Sequence, residues 1–212
     1  MQNKIEIFGP ALAQVFHGAR AQHQQLNQTW ITISFKVGGR LPDSLLSVAI
    51  QRDGEVDLVL RSIEDEMARR DLEAHQRDAL FCGNYFGLMS NYWIGSIYEL
   101  FRLLRQRKLA DQDARFAEIF ADLELVRMPL EKHEIAKDQV LKKPLELVRN
   151  PSRNDGSDIY VYDPKDDARA HIMPQCLMPS GSWAWMTVDV RSNSDRWVER
   201  RSISDRIIQL WG

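Results

Sequence analysis

The sequence predicts an α+β fold that is mainly α: a helical bundle followed by a small antiparallel β-sheet. Three observations predict it. From Val56 to Val126 apolar residues recur every three or four positions, the period of a helix with one buried face. The string RNPSRNDGSD over 149–158 is dense in turn formers. Beyond it, segments 158–162 and 184–190 alternate with period two, as half-buried strands do. The expected organisation is an N-terminal helical extension (1–55), a helical bundle (56–145), a linker (146–157) and a small β-rich C-terminal subdomain (158–212).

Residues 10–28 predict a first helix, with Pro10 in its first turn and Leu12, Val15, Phe16, Ala19 and Leu26 near helical spacing. The stretch TWITISFKV (29–37) fits either a short strand or the tail of that helix, closed by Gly38-Gly39. Pro42-Asp43-Ser44 opens a short helix to about Arg52, and Asp53-Gly54 predicts a break. A helix over 56–81 should stop at Cys82-Gly83-Asn84, since Gly and Asn tolerate the left-handed conformation.

The segment 85–108 carries the strongest pattern: Tyr85, Leu88/Met89, Tyr92/Trp93, Ile97, Leu100/Phe101 and Leu104 form one broad apolar stripe. Its end is rich in cations (Arg102, Arg105, Arg107, Lys108) that suit the negative pole of a helix. Asp111 or Asp113 can cap a further helix through Phe116, Phe120, Leu123 and Val126. Pro129 should end or kink it at Met128, with a new helix starting at the proline. Toward the C-terminus, Trp183, Trp185 and Thr187 fall on one strand face and Ala184, Met186 and Val188 on the other. Ser192–Asp195 reads as a hairpin turn into a strand over 196–202, and Ser204 can cap a last helical turn.

Composition narrows the function classes. Of 212 residues, 44% are apolar, enough for a packed core, and the net charge of −2 argues against coating nucleic acid by bulk positive charge. A local basic patch stays open. Cys82 and Cys176 form no paired-ligand spacing and are expected to be reduced thiols. No apolar run approaches the ~20 residues of a membrane span. The N-terminus lacks a signal-peptide pattern, so no membrane association and a cytoplasmic location are expected. The five histidines make no HExxH, and no phosphate-binding loop, dinucleotide fingerprint or nucleophile elbow occurs. No metal or cofactor is expected.

The string Arg127-Met128-Pro129-Leu130-Glu131-Lys132-His133 sets an Arg and a His five residues apart. On an unbroken helix six steps of about 100° leave the two side chains about 120° apart. A junction at Pro129 would turn both toward one pocket. Histidine exchanges protons near neutral pH, and Arg grips phosphate with two parallel hydrogen bonds. Together they suit metal-independent RNA cleavage, in which a base removes the 2′-OH proton and a cation steadies the phosphorane. On the helix before it, Glu99 and Arg102 can pair one turn apart. Glu99 could also orient Arg127 or His133. The bland alternative is an Arg127 paired with Glu124 or Glu131 and a solvated His133. The C-terminal Arg196, Arg200, Arg201 and Arg206, near Trp183, Trp185 and Trp197, fit base stacking or simple packing alike.

Helices followed by Arg-x5-His resemble the HEPN superfamily (higher eukaryotes and prokaryotes nucleotide-binding domain), over about residues 56–145. The resemblance implies an all-helical bundle and, in many members, a metal-independent endoribonuclease of toxin–antitoxin, phage-defence or RNA-processing systems. It also implies a homodimer in which two motifs line one cleft. Carried onto this chain, Arg127 is the phosphate clamp, His133 the general acid/base and Glu99 the orienting carboxylate. Arg102, Arg105 and Lys132 are candidate RNA-binding cations. The chain departs from the common pattern, because Met128-Pro129 follow the Arg where a polar residue is usual. The alternative expectation is a non-catalytic interaction module that binds a protein partner through its C-terminal sheet. Whether the chain is an enzyme stays open between these readings.

Overall fold

The structure, a computed structural model, describes residues 7–42, 44–69, 76–110, 113–149, 159–192 and 194–212. The expected fold class holds: helices build most of the molecule and short antiparallel strands follow them. The expected signals at Asp43, Asp111 and Asn193, and most of the turn-rich linker, lie outside the described residues.

The N-terminal part folds as two helices, α1 (Phe8–Gln22) and α2 (Gln24–Gly38), separated at His23, whose φ of −120° and ψ of 43° leave the helical region. The ambiguous stretch 29–37 is therefore neither strand nor tail. It sits in a helix of its own, where the hydroxyls of Thr29 and Thr32 donate to the carbonyls of Gln25 and Gln28. Such back-bonding satisfies a threonine inside a helix.

The next helix, α3 (Leu46–Arg69), runs straight through Asp53-Gly54, where a break was expected. A Cβ at position 54 would lie 2.6 Å from Cγ of Trp30. The glycine thus permits α2 and α3 to touch, and burial of Trp30 outweighs the ~1 kcal/mol that Gly costs in a helix. The expected stop at Cys82-Gly83-Asn84 is also absent, since α4 is continuous from Gln76 to Gln106. Its buried Phe86, Trp93, Ile94, Ile97, Phe101 and Leu104 carry the helix past three unfavourable glycines, Gly83, Gly87 and Gly95. Lys108, with φ 57°, follows its end.

Helix α5 (Ala114–Lys132) is capped by Asp113, whose carboxylate accepts from the Arg115 N–H. It passes through Pro129 without a junction, against expectation. Pro129 is buried and sits in the last turn, so only the bond to the carbonyl four residues back is forgone. The helix ends instead at His133, which adopts φ 55° and donates its N–H to Pro129 O.

After a 3-10 turn (Asp138–Val140) come β1 (Leu145–Val148) and β2 (Ile159–Tyr162), paired antiparallel with Leu145 opposite Tyr162. Residues 146–148, assigned to a linker by the sequence, are strand. A second, separate sheet has the order β3 (Gln175–Leu177), β4 (Trp183–Asp189), β5 (Ser194–Glu199), so one expected sheet is two. The β4–β5 hairpin closes at Asp189 and Ser194 as the turn signal suggested. Helix α6 (Arg200–Trp211) starts at Arg200, earlier than expected, and buries Ser204 in its interior rather than at its cap.

One apolar core draws on every helix and on β4 and β5, with Trp30, Trp93, Phe101, Trp185 and Trp211 among its members. Phe101 lies between Phe116 and Trp211, with ring centroids 4.7 Å and 4.9 Å away. A smaller core of Ile135, Leu147 and Tyr162 sits beneath β1–β2. No described helix is long and apolar enough to cross a membrane.

Candidate functional site

Antiparallel packing of α4 and α5 brings Glu99 and Arg127 together. Nη2 of Arg127 lies 3.4 Å from Oε1 of Glu99, and its guanidinium sits 4.9 Å above the Tyr98 ring. The other Glu99 oxygen receives Arg102 Nε at 2.6 Å, the expected i,i+3 pair. Glu99 is thus shared by two guanidiniums on a half-exposed surface. Arg127 pairs with neither Glu124 nor Glu131; Glu124 is taken by Lys137.

The unbroken α5 does not place His133 in this pair. His133 lies about 9 Å farther along the helix axis, exposed at the C-cap. Its carbonyl accepts from the His171 N–H at 2.7 Å, which ties the chain between β2 and β3 to the end of α5. Lys132 is likewise exposed, and Arg105 stands 4.5 Å above the Phe120 ring. The face therefore holds Glu99, Arg102, Arg105 and Arg127 along one helix seam, while Lys132 and His133 lie at the end of α5, turned well away from Arg127 around the helix. It can bind phosphate through its guanidiniums, and nothing on it is a preorganised nucleophile.

Sequence reasoning missed two polar clusters. The first lies on α3, where Asp57, Arg61 and Glu64 share one stripe that packs on α6. Arg200 donates to Asp57 Oδ1 at 2.5 Å and to both oxygens of Glu64 at 2.7 and 2.6 Å, and all three side chains are fully buried. Arg61 joins Asp57 at 3.0 Å, Ser204 at 2.8 Å and Asp205 at 2.5 Å. Arg201 reaches Asp65 at 2.6 Å, and the Trp30 indole N–H donates to Asp57 at 2.9 Å. Burial pushes the Asp57 carboxyl up, but Arg200 and Arg61 outweigh it and hold the carboxyl below its usual range. The i,i+4,i+7 placement of carboxylate, Arg and carboxylate was the available signal. Every member has a partner, so the cluster is a clamp rather than a reaction centre. The C-terminal arginines read as base-stacking candidates are absorbed the same way: Arg196 and Arg206 both pair with Asp122.

The second cluster lies under β1–β2. Tyr162 donates to Asp138 at 2.6 Å, Arg169 reaches Asp138 at 2.7 Å and Glu134 at 3.2 Å, and Tyr160 O shares a 2.5 Å hydrogen bond with Nδ1 of His171. Burial lowers His171 to about 4 and, with Asp138, raises Tyr162 to about 12, so both are neutral at physiological pH. Elsewhere, burial raises Asp53 to about 6 against the opposing bond from Ser96 at 2.7 Å. No group of His, Cys, Asp and Glu able to hold a metal occurs among the described residues. Comparison with family models, curated proteins and solved structures finds no match to this chain.

Proposed function

We propose that this chain is a HEPN-like protein that binds RNA along the α4–α5 face, in the cytoplasm and as a homodimer. The observation that supports this reading is the Glu99–Arg127 contact between two helices, with Arg102 on the same carboxylate. It groups two of the candidate cations around the carboxylate expected to orient them. Arg102, Arg105, Arg127 and Lys132 supply the phosphate contacts, and Arg127 over Tyr98 adds a cation–aromatic platform. RNA binding is favoured over cleavage within one subunit, because the continuous α5 leaves His133 apart from Arg127. Cleavage at Arg127 and His133 would need a second copy to complete the cleft. The test is binding and cleavage of mixed cellular RNA in EDTA by wild type and by an Arg127→Ala/His133→Ala variant. Retention of RNA by wild type and its loss in the folded variant supports the reading; cleavage by wild type alone extends it to a nuclease. Absence of both ends it.

A second reading, a non-catalytic module that binds a protein through its C-terminal sheet, is favoured by the outer face of β1–β2. There Val148, Ile159 and Val161 are 41%, 54% and 63% exposed on a two-stranded sheet. Sedimentation of wild type against Ile159→Glu/Val161→Glu tests whether a second copy covers this face.

A further inference from the structure

Three sulfur-bearing side chains share the face of the β3–β4–β5 sheet that is turned away from the main core. The strand pairing sets Cys176 opposite Ala184 and Ala184 opposite Glu199, and directly opposed residues point to the same face. Met186, two residues along β4 from Ala184, lies on that face too, while Trp185 and Val198 on the other face enter the main core. Met178 follows β3, and its Sδ stands 3.7 Å from Cys176 Sγ. Ala184 is fully buried between Cys176 and Glu199, whereas Cys176, Met178 and Met186 are half-buried and reachable from solvent.

We infer that Cys176, Met178 and Met186 form a binding site for a soft monovalent metal cation, Cu(I). The spacing of the first two sulfurs is the one a shared ion requires. Two sulfurs each about 2.3 Å from a metal, the length of a Zn–S bond, stand about 3.8 Å apart at a tetrahedral angle. The 3.7 Å separation of Cys176 Sγ and Met178 Sδ meets this with the side chains as they stand. Met186 lies on the diagonal from Cys176, a separation of about 7–8 Å that a long side chain can span. One thiolate with two thioethers is a soft donor set of low charge, which suits Cu(I). Zn(II) sites instead use imidazole, carboxylate or several thiolates.

Charge fits the same cation. Burial, and then the Glu199 carboxylate, hold the Cys176 thiol above its usual pKa, so it is protonated at neutral pH and a poor nucleophile. Metal binding breaks the S–H bond, forms an S–Cu bond and releases the proton to solvent. The resulting thiolate cancels the single charge of the ion. Glu199, which accepts from the Ser180 hydroxyl at 2.9 Å, keeps a negative field at the site.

The site shares no residue with the proposed RNA face and stands apart from that reading. Anaerobic competition for Cu(I) against the chromophoric chelator bicinchoninate would compare wild type with Cys176→Ser, Met178→Leu, Met186→Leu and Cys82→Ser, the last removing the other thiol of the chain. Wild type and Cys82→Ser should each withhold one equivalent of Cu(I), and Cys176→Ser none. Each leucine variant keeps the side-chain volume and should weaken the affinity at least tenfold with an unchanged circular dichroism spectrum. Zn(II) at the same concentration should stay with a competing indicator. No Cu(I) withheld by wild type, or equal retention by Cys176→Ser, overturns the site. Indifference of the affinity to either methionine variant overturns the three-sulfur set, and Zn(II) held as tightly as Cu(I) overturns its softness.

Discussion

Glu64 and Arg200, 136 residues apart, meet as a buried two-bond fork, with Nε 2.7 Å from one carboxylate oxygen and Nη2 2.6 Å from the other. Neither side chain is exposed to solvent. The contact joins the C-terminal third of α3 to the first residue of α6, so the C-terminal helix is located by charge as well as by Ile203, Ile207 and Trp211. Gly181 belongs to the same neighbourhood: its φ of 81° brings it so near α3 that a Cβ would lie 2.2 Å from Glu64 O.

Truncating one partner of this fork should be far more damaging than replacing the group. Arg200→Ala removes the cation shared by the buried Asp57 and Glu64 and leaves each with one arginine, Arg61 and Arg201, so the loss should fall toward the low end of the about 3–5 kcal/mol that breaking a buried ion pair costs. Urea denaturation would measure it. The triple variant Asp57→Asn/Glu64→Gln/Arg200→Met should recover much of that loss, because no unpaired charge remains. A loss no smaller in the triple variant would show that packing, not charge compensation, is what Arg200 supplies.

Asp53 sets a pH dependence of unusual sign. Its folded pKa of about 6 lies above the ordinary 3.8, so between these values the folded state holds a proton that the unfolded state has released. Stability therefore falls as pH rises through this window, by on the order of 2–3 kcal/mol. Asp53→Asn keeps an acceptor for Ser96 and removes the ionisation. The variant should be more stable than wild type at pH 7.5 and similar at pH 4, read from denaturation midpoints at the two values.

His171 opposes Asp53 in nearly the same range. Folded, it stays neutral down to about pH 4, while the unfolded chain protonates near 6.5. Its contribution is complete above 6.5 and is lost as pH falls toward 4. The two limbs offset one another, so the wild-type midpoint should change little between pH 4 and 6. In Asp53→Asn the midpoint should instead climb across that window. Imidazole resonances give the direct check: a His171 ring titrating near 6.5 would remove this explanation.

Legibility followed burial. The stripe on α4 was readable only in part: Trp93, Ile97, Leu100, Phe101 and Leu104 face the main core, while Tyr85, Leu88 and Tyr92, expected in the same stripe, are exposed beside the buried Phe86 and Trp93. The period-two strands were readable because Trp185 and Tyr162 turn inward, each to a different core, and the fold class followed from these patterns. Gly54, Gly83 and Pro129 were misread as breaks for a common reason. Local propensity costs about 1–3 kcal/mol at such residues, and burial of neighbours such as Trp30 and Phe86 overrides it. Strand β1 was hidden because four residues, LELV, carry too short a pattern to separate from a linker. At the candidate site the Glu99–Arg102 pair was legible from spacing. The Glu99–Arg127 contact was foreseen only as a candidate orientation, and the clamp around Arg200 needed the tertiary path that brings α6 onto α3.

Glu99 offers the sharpest test of the α4–α5 face. Its carboxylate neutralises both Arg102 and Arg127, so it holds two phosphate-binding groups in place while reducing the field they present. If RNA binds here mainly through charge, Glu99→Gln should tighten it several-fold and steepen the salt dependence by about one phosphate equivalent. Arg127→Ala should do the reverse, weakening all sequences alike. Filter binding of a random oligoribonucleotide across salt concentrations separates the cases. Weaker binding in Glu99→Gln would mean that orientation of Arg127 matters more than the field. Identical curves for wild type and both variants would move the RNA contact off this face.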